Sequence, residues 1–340
     1  MVSPLAELFP IFCLFKVMSK YFYWKRIIDA YLLRKTSHLN FWHGEPKENS
    51  SFKNSSVGPY YMEFYNKANY NGCLDGRGIP MLDYQGRIGK QYNPIAIAQW
   101  GLGNYNLWLK KKEDKYFKKF IKCAQWLEDE LILNSNNLSV LMHNFDFEYR
   151  DTLKKPWYSG LAQGQALSVL IRALKETGDD KYAQACHSIF KSFMVDVKHG
   201  GVRFTDENGD AWIEEYIVDP PTHILNGFVW ALWGIYDYSI YFSDNLAEDT
   251  FKNFSLTIVK NLHTYDLGYW SKYEHSGTLL PMIASPFYHK LHVVQMHVMY
   301  LITGEKVYLD YHKKWKKYLS KITFRFFSLI HKIIFKVLYY

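Results

Sequence analysis

Leu161-Ala162-Gln163-Gly164-Gln165-Ala166-Leu167-Ser168-Val169-Leu170-Ile171-Arg172-Ala173-Leu174, followed by Thr177-Gly178-Asp179 and Lys181-Tyr182-Ala183, decides the fold. Leu161, Ala166, Leu167, Leu170, Ile171 and Leu174 recur with a period near 3.6, the signature of one buried helix face. Thr177-Gly178-Asp179 is a short connector, and Lys181-Tyr182-Ala183 opens a second helix, so the stretch reads as a helical hairpin. The pattern returns along the chain. Thr303-Gly304-Glu305 is nearly the same connector, and Lys115-Tyr116-Phe117, Thr250-Phe251-Lys252 and Val307-Tyr308-Leu309 fit the same opening slot. Leu225, Phe228, Val229, Leu232, Trp233 and Tyr236 repeat the helical period. A supersecondary unit repeated about every 60 residues implies stacked hairpins. The expected fold class is therefore mainly α, an incomplete (α/α) toroid of helical hairpins, with a small β- and loop-rich N-terminal part.

Outward from that core, the expected organisation has four parts. Residues 1–40 form a basic, aromatic helical extension. Residues 41–95 carry Asn71-Gly72, Asp75-Gly76-Arg77-Gly78 and Gln85-Gly86, which are turn signals for loops or a hairpin. Residues 96–320 form the catalytic toroid. Residues 321–340 place Lys321, Arg325, Ser328, Lys332 and Lys336 between almost continuous apolar residues, a basic amphipathic helix. Such a helix either lies on an anionic membrane surface or packs on the domain or on a second copy.

The chain of 340 residues carries a net charge of +8, which favours anionic partners. It contains none of the usual nucleic-acid motifs, so nucleic acid ranks behind acidic membrane lipid and acidic polysaccharide as the expected partner. The 28 Tyr, 23 Phe and 11 Trp suit a carbohydrate site, although most must be core. Cys13, Cys73, Cys123 and Cys186 make no CxxC pair, so neither a disulfide framework nor a zinc site is expected. The apolar stretch from Leu8 to Phe15 is flanked by Glu7 and Lys16 and does not read as a secretory signal, and no run reaches the ~18 apolar residues of a membrane span. The expected location is the cytoplasm or the inner face of the membrane.

The chemistry-bearing words are Glu214-Glu215-Tyr216, Tyr273 and Phe287-Tyr288-His289-Lys290-Leu291-His292. Tyrosines beside carboxylates and histidines suit proton transfer at a carbon acid, and a tyrosine serves as base if its pKa is lowered. His289 and His292 share a face if helical. With no third ligand in sight, they read as groups that orient Tyr288, bind a carboxylate or satisfy the core, and neither metal nor cofactor is expected. Asn226, Gln163 and Gln165, near helix starts, either bind sugar hydroxyls or cap helices. Arg172 is a partner for a uronate carboxylate or one half of a salt bridge.

These words resemble, in order and spacing, those of the D-glucuronyl C5-epimerases of heparan sulfate and heparosan biosynthesis. The likeness runs from Tyr92-Asn93-Pro94-Ile95-Ala96-Ile97-Ala98-Gln99-Trp100-Gly101-Leu102 through Trp157-Tyr158-Ser159-Gly160-Leu161-Ala162-Gln163-Gly164-Gln165-Ala166 and Glu214-Glu215-Tyr216. It continues in Leu225-Asn226-Gly227-Phe228, Gly234-Ile235-Tyr236-Asp237 and Tyr265-Asp266-Leu267-Gly268, and closes with Tyr273, Tyr288-His289, His292, Gln295 and Lys314-Trp315, covering about residues 58–320. Only residues 103–155 stand where the animal enzymes carry a large β-rich domain between the first two matched regions, so the chain looks like a compact, prokaryote-like member. His275-Ser276 stands where the family carries an arginine. The resemblance implies C5 inversion of D-glucuronate to L-iduronate within a polymer and a homodimer. It implies catalytic roles for Glu215, Tyr216, Tyr273 and Tyr288. It also implies substrate contacts among Tyr92, Gln99, Trp157, Tyr158, Gln163, Gln165, Arg172, Asn226, His289 and His292. A polysaccharide lyase, which abstracts the same proton and then eliminates at C4, and a non-catalytic glycan binder are the competing readings.

Overall fold

The computed structural model describes Ile28 and residues 41–42, 44–84, 86–150 and 152–339. Ile28 apart, the extension expected over residues 1–40 lies outside them. After a single helical turn, α1 (Tyr65–Ala68), eight helices form four consecutive hairpins. These are α2 (Pro94–Lys111) with α3 (Asp114–Asp129), α4 (Gly160–Thr177) with α5 (Asp180–Met194), α6 (Leu225–Phe242) with α7 (Asn245–Asn261), and α8 (Pro286–Thr303) with α9 (Lys306–Ser320). A last helix, α10, spans Ile322–Tyr339.

Local chemistry sets these boundaries. Asn93, Ser159, Asp179, Asp244 and Ser285 each accept a hydrogen bond from a first-turn N–H, and Pro94 and Pro286 occupy first helical positions where no N–H is needed. Each first helix of a hairpin has 18 residues and ends at a left-handed residue, Lys112, Gly178, Ser243 or Gly304, whose N–H closes the last turn. The sequence repeat is thus real, with one register difference. The residue matching Tyr116, Tyr182 and Tyr308 is Ala247, because Asp244 caps α7 there, so Phe251 lies one turn further on.

The first helices form an inner layer and the second helices an outer one. Helix α4 is buried continuously from Gly160 to Leu174, whereas α5 buries only one stripe. Helices α4 and α6 cross backbone to backbone. A Cβ on Gly164 would lie 2.3 Å from the Ala231 Cα, and one on Gly234 would lie 2.0 Å from the Gly164 carbonyl oxygen. Segment 44–64 spans the gap between the first and fourth inner helices. Asn106 of α2 bonds the Tyr60 N–H and the Met62 carbonyl, while Lys290 and His297 of α8 pair with Glu45 and Glu48. This is the incomplete (α/α) toroid that the repeat implied.

The strands are spread more widely than an N-terminal β part. β1 (Leu82–Asp83) pairs with β2 (Lys90–Gln91). The link from α3 to α4 holds β3 (Leu131–Leu133), β4 (Ser139–His143), β5 (Phe147–Glu148), β6 (Thr152–Leu153) and β7 (Trp157–Tyr158), ordered β3-β4-β7 and β5-β6. The link from α5 to α6 holds the hairpin of β8 (Arg203–Thr205) and β9 (Ala211–Ile213). Every pairing between these strands is antiparallel.

Candidate active site

A cleft of about 420 Å³ opens where the inner helices begin. Its wall includes Asn93 and Ile95 of α2, Leu161 of α4, Asn226 and Trp230 of α6, and Tyr288 of α8, all within the first two turns or at the cap. The connections supply Trp42, Asp83, Tyr84, Phe145, Phe147, Trp157, Glu215 and Tyr216. The cleft thus gathers the positive ends of four helix dipoles and a wall of aromatic rings, with no Lys or Arg among the lining residues.

Glu215 is delivered by β9. The Glu214 N–H donates to the Val202 carbonyl, and the Gly160 N–H donates to the Glu214 carbonyl, which fastens this segment to the start of α4. Glu214 turns away from the cleft and accepts from the Thr222 and His223 N–H groups and the His223 ring. Glu215 is buried against the start of α6. A Cβ on Gly227 would lie 2.1 Å from its Oε2, so only glycine leaves room for the carboxyl there. Oε2 has no hydrogen-bond partner among the described residues. Burial pushes this carboxyl up to about 8. A hydrogen bond with Tyr216 opposes the shift, and Glu274 and Glu214 add to it.

The phenols behave in the opposite sense to a base. Burial first, then the charge of Glu215, raises Tyr216, Tyr273 and Tyr288 well above the ordinary tyrosine value, so all three stay protonated. Their pKa values are raised rather than lowered, so the condition for a basic tyrosine is not met and each phenol carries an O–H. The Tyr273 and Tyr288 rings meet at 4.9 Å, and Tyr216 packs on Tyr149 at 4.5 Å and edge-on to Trp157 at 5.7 Å. The Tyr273 carbonyl accepts from the Leu225 N–H, which ties the Tyr273 loop to the start of α6.

Of the other expected contacts, Trp157 and Asn226 reach the cleft. Trp157 stacks on His143 at 3.8 Å and donates its ring N–H to the Phe145 carbonyl. Several others are placed elsewhere. Gln163 brackets the Leu141 N–H and carbonyl, tying β4 to α4. Gln99 and Gln165 bond each other in the toroid core. Tyr92 donates to Asp75 in the turn region, and Tyr158 is taken up by β7. Arg172 forms a fully buried pair with Asp237 at 2.6 Å, joined by Ser168 and Tyr61, so its salt-bridge reading is the one the structure shows. His289 and His292 are also core groups. The Ser271 N–H can only donate, so His289 Nδ1 accepts and Nε2–H donates to the Trp315 carbonyl, with the ring stacked on Trp270. The Ser271 hydroxyl bridges to His292. Burial holds both imidazoles neutral, His289 at about 3 and His292 well below its usual value.

Sequence reasoning missed Tyr149 and Glu274. Tyr149 donates to the Glu274 carboxylate while its ring covers Tyr216, and burial raises the Glu274 carboxyl. Adjacency to Tyr273 was a signal for Glu274; nothing local marked Tyr149. Trp230 was findable, because it lies six residues past its N-cap, as Gln99 and Gln165 do.

The four hairpins, whose inner helix starts enclose an aromatic cleft with a buried carboxyl, place the protein in the class of (α/α) helical toroids. A sugar epimerase from a ruminal bacterium has this fold, with a TM-score of 0.51 at 10% identity over 87% of this chain and 84% of that one. Residues 135–317 match the family described as D-glucuronyl C5-epimerase C-terminus, and the chain belongs to that family. It is 28% identical over 226 residues to the D-glucuronyl C5-epimerase of Caenorhabditis elegans, a match covering 61% of this chain and 36% of the nematode protein. It is also 29% identical over 222 residues to an uncharacterized protein of Methanocaldococcus jannaschii, covering 62% of this chain and 71% of the archaeal one. The chain thus spans little more than a third of the nematode enzyme that it matches.

Proposed function

We propose that this protein is an epimerase that inverts C5 of D-glucuronate residues within a heparosan- or heparan-type polysaccharide. The observation that carries the reading is the buried Glu215 carboxyl, held near 8 in the cleft that also receives Tyr216 and Tyr288. A general base is most effective when its pKa lies near the working pH. Glu215 takes the C5 proton, and the electron pair left on C5 delocalises into the substrate carboxylate. That second negative charge needs electrostatic support, which the converging helix starts and the protonated phenols supply. Tyr288 then gives its proton to the opposite face of C5, and solvent returns a proton to Tyr288 as Glu215 releases its own. Tyr273, against Tyr288, donates to the substrate carboxylate or the glycosidic oxygen, and Tyr216 holds Glu215. Trp157, Phe147 and Trp230 offer faces to the sugar rings. Family membership supports an epimerase of carbohydrate.

The test is heparosan incubated with the protein in D2O. Deuterium at C5 together with new iduronate resonances supports the proposal. The ultraviolet absorbance of an unsaturated uronate would assign a lyase instead, and unchanged polymer, tried also with chondroitin and N-sulfated chains, would overturn catalysis on these substrates.

A further inference from the structure

Helix α10 is mounted with its polar side inward. Arg325 and Ser328 are buried, as are Leu329 and Phe335, and His331 donates to the Pro281 carbonyl and accepts from the Tyr269 hydroxyl. Lys332 faces Glu274. The apolar stripe Ile322, Phe326, Phe327, Ile330, Ile334 and Val337 is left in solvent, Val337 at 71% exposure. Leu279, 99% exposed, adjoins the far end of the stripe, since the Leu280 N–H reaches the Tyr339 hydroxyl. A contiguous apolar face of this size marks an interaction surface.

Charge says which occupant fits. Between Tyr311 and Tyr340 there are eight Lys and Arg and no Asp or Glu. Lys314 pairs with Asp266, while Lys313, Lys316, Lys317 and Lys321 stand exposed at the α9–α10 junction. Residues 1–40 hold six Lys and Arg against two acids, so by charge neither they nor a second copy of the same helix complements the basic flank of this face. No helix among the described residues is long and apolar enough to cross a membrane. A helix with an exposed apolar stripe and a cationic flank lies in the plane of an anionic bilayer surface.

We propose that α10 docks the protein onto an anionic lipid surface, inserting the Ile322–Val337 stripe while the lysines at its start meet the headgroups. The surface is reached independently of catalysis, and its inner side rests on the loop that carries Tyr273 and Glu274.

The test is flotation of the full chain with vesicles of phosphatidylcholine alone and with about one third phosphatidylglycerol. The expected result is binding to the anionic vesicles only, weakened by salt. Ile334→Glu, at a solvent-exposed position, should abolish flotation with unchanged circular dichroism. Lys317→Gln and Lys321→Gln should each lower partitioning about fivefold, the loss expected for one lysine at an anionic surface. Three outcomes would overturn the proposal: no flotation; flotation untouched by Ile334→Glu, which would mean adhesion by charge alone; or a concentration-dependent dimer that Ile334→Glu dissociates in a chain that never floats.

Discussion

Replacing Glu215 with Gln separates the chemistry of the cleft from its architecture, because the amide keeps the shape and removes only the ionisable group. Burial raises this carboxyl from 4.5 to about 8. Folding therefore opposes its ionisation by roughly 5 kcal/mol at 1.36 kcal/mol per pKa unit, an order-of-magnitude figure. The folded protein keeps a proton that the unfolded chain has released, so this group's contribution to stability is lost as pH rises from about 4.5 to 8. The Gln variant has no such loss. It should be more stable than the wild type at about pH 8 by up to a few kcal/mol, and nearly equal to it at about pH 4.5. Activity should move the other way. Wild-type kcat/KM for C5 deuterium incorporation should rise about tenfold per pH unit and level off above about 8, since only about one tenth of Glu215 is ionised at pH 7. The variant should lose roughly 10²–10⁴-fold, the range for a positioned general base. Urea denaturation across pH and NMR of heparosan in D2O read the two sides. A variant as active as the wild type, or an activity limb at the ordinary carboxylate value, would mean that Glu215 is not the base.

Tyr288→Phe removes a proton donor and no packing, so the same NMR assay should fall by roughly 10²-fold or more while the urea midpoint stays within the range of a neutral substitution. Asp237→Asn strands the buried Arg172 charge and should cost about 3–5 kcal/mol in urea denaturation, with no counterpart in the pH dependence of the residual activity. Acid should unfold the protein steeply. Buried His143, His275 and His289 are held at about 3, and His292 well below its usual value, so the unfolded chain takes up four protons that the folded one refuses, against about one retained by Glu215. Near pH 5 stability should fall by about 4 kcal/mol per pH unit of acidification, seen as a slope in the unfolding free energy; a flat slope would mean that these rings are solvated.

The hairpin repeat was legible because it is local. Apolar spacing at 161–174, the connectors at Gly178 and Gly304 and the short polar caps all act within a few residues, and together they specify two layers of helices before any long-range contact is known. The ordered words around Glu215, Tyr216, Tyr273 and Tyr288 were legible for the same reason. What those groups can do was not. Whether a carboxyl sits near 4.5 or near 8 depends on how much water the surrounding fold removes, and β9, Gly227 and Glu274 meet Glu215 only in the folded chain. That same burial raises the three tyrosines, so the lowered pKa that a tyrosine base requires is not met. It also placed Arg172, Gln163 and His289 in hydrogen-bond networks of the core and buried His292 beside them on the Ser271 hydroxyl, although their spacing suited a site equally well. The period of α10 was plain in its residues, but a helical wheel has no inside. Packing against the Tyr273–Met282 loop decided that Arg325 and Lys332 face the protein and that Phe327 and Ile334 face out. Sequence alone determined which residues share a face, through periodicity and capping. Tertiary structure decided what each face meets, because burial and its electrostatic consequences arise only between segments far apart in the chain.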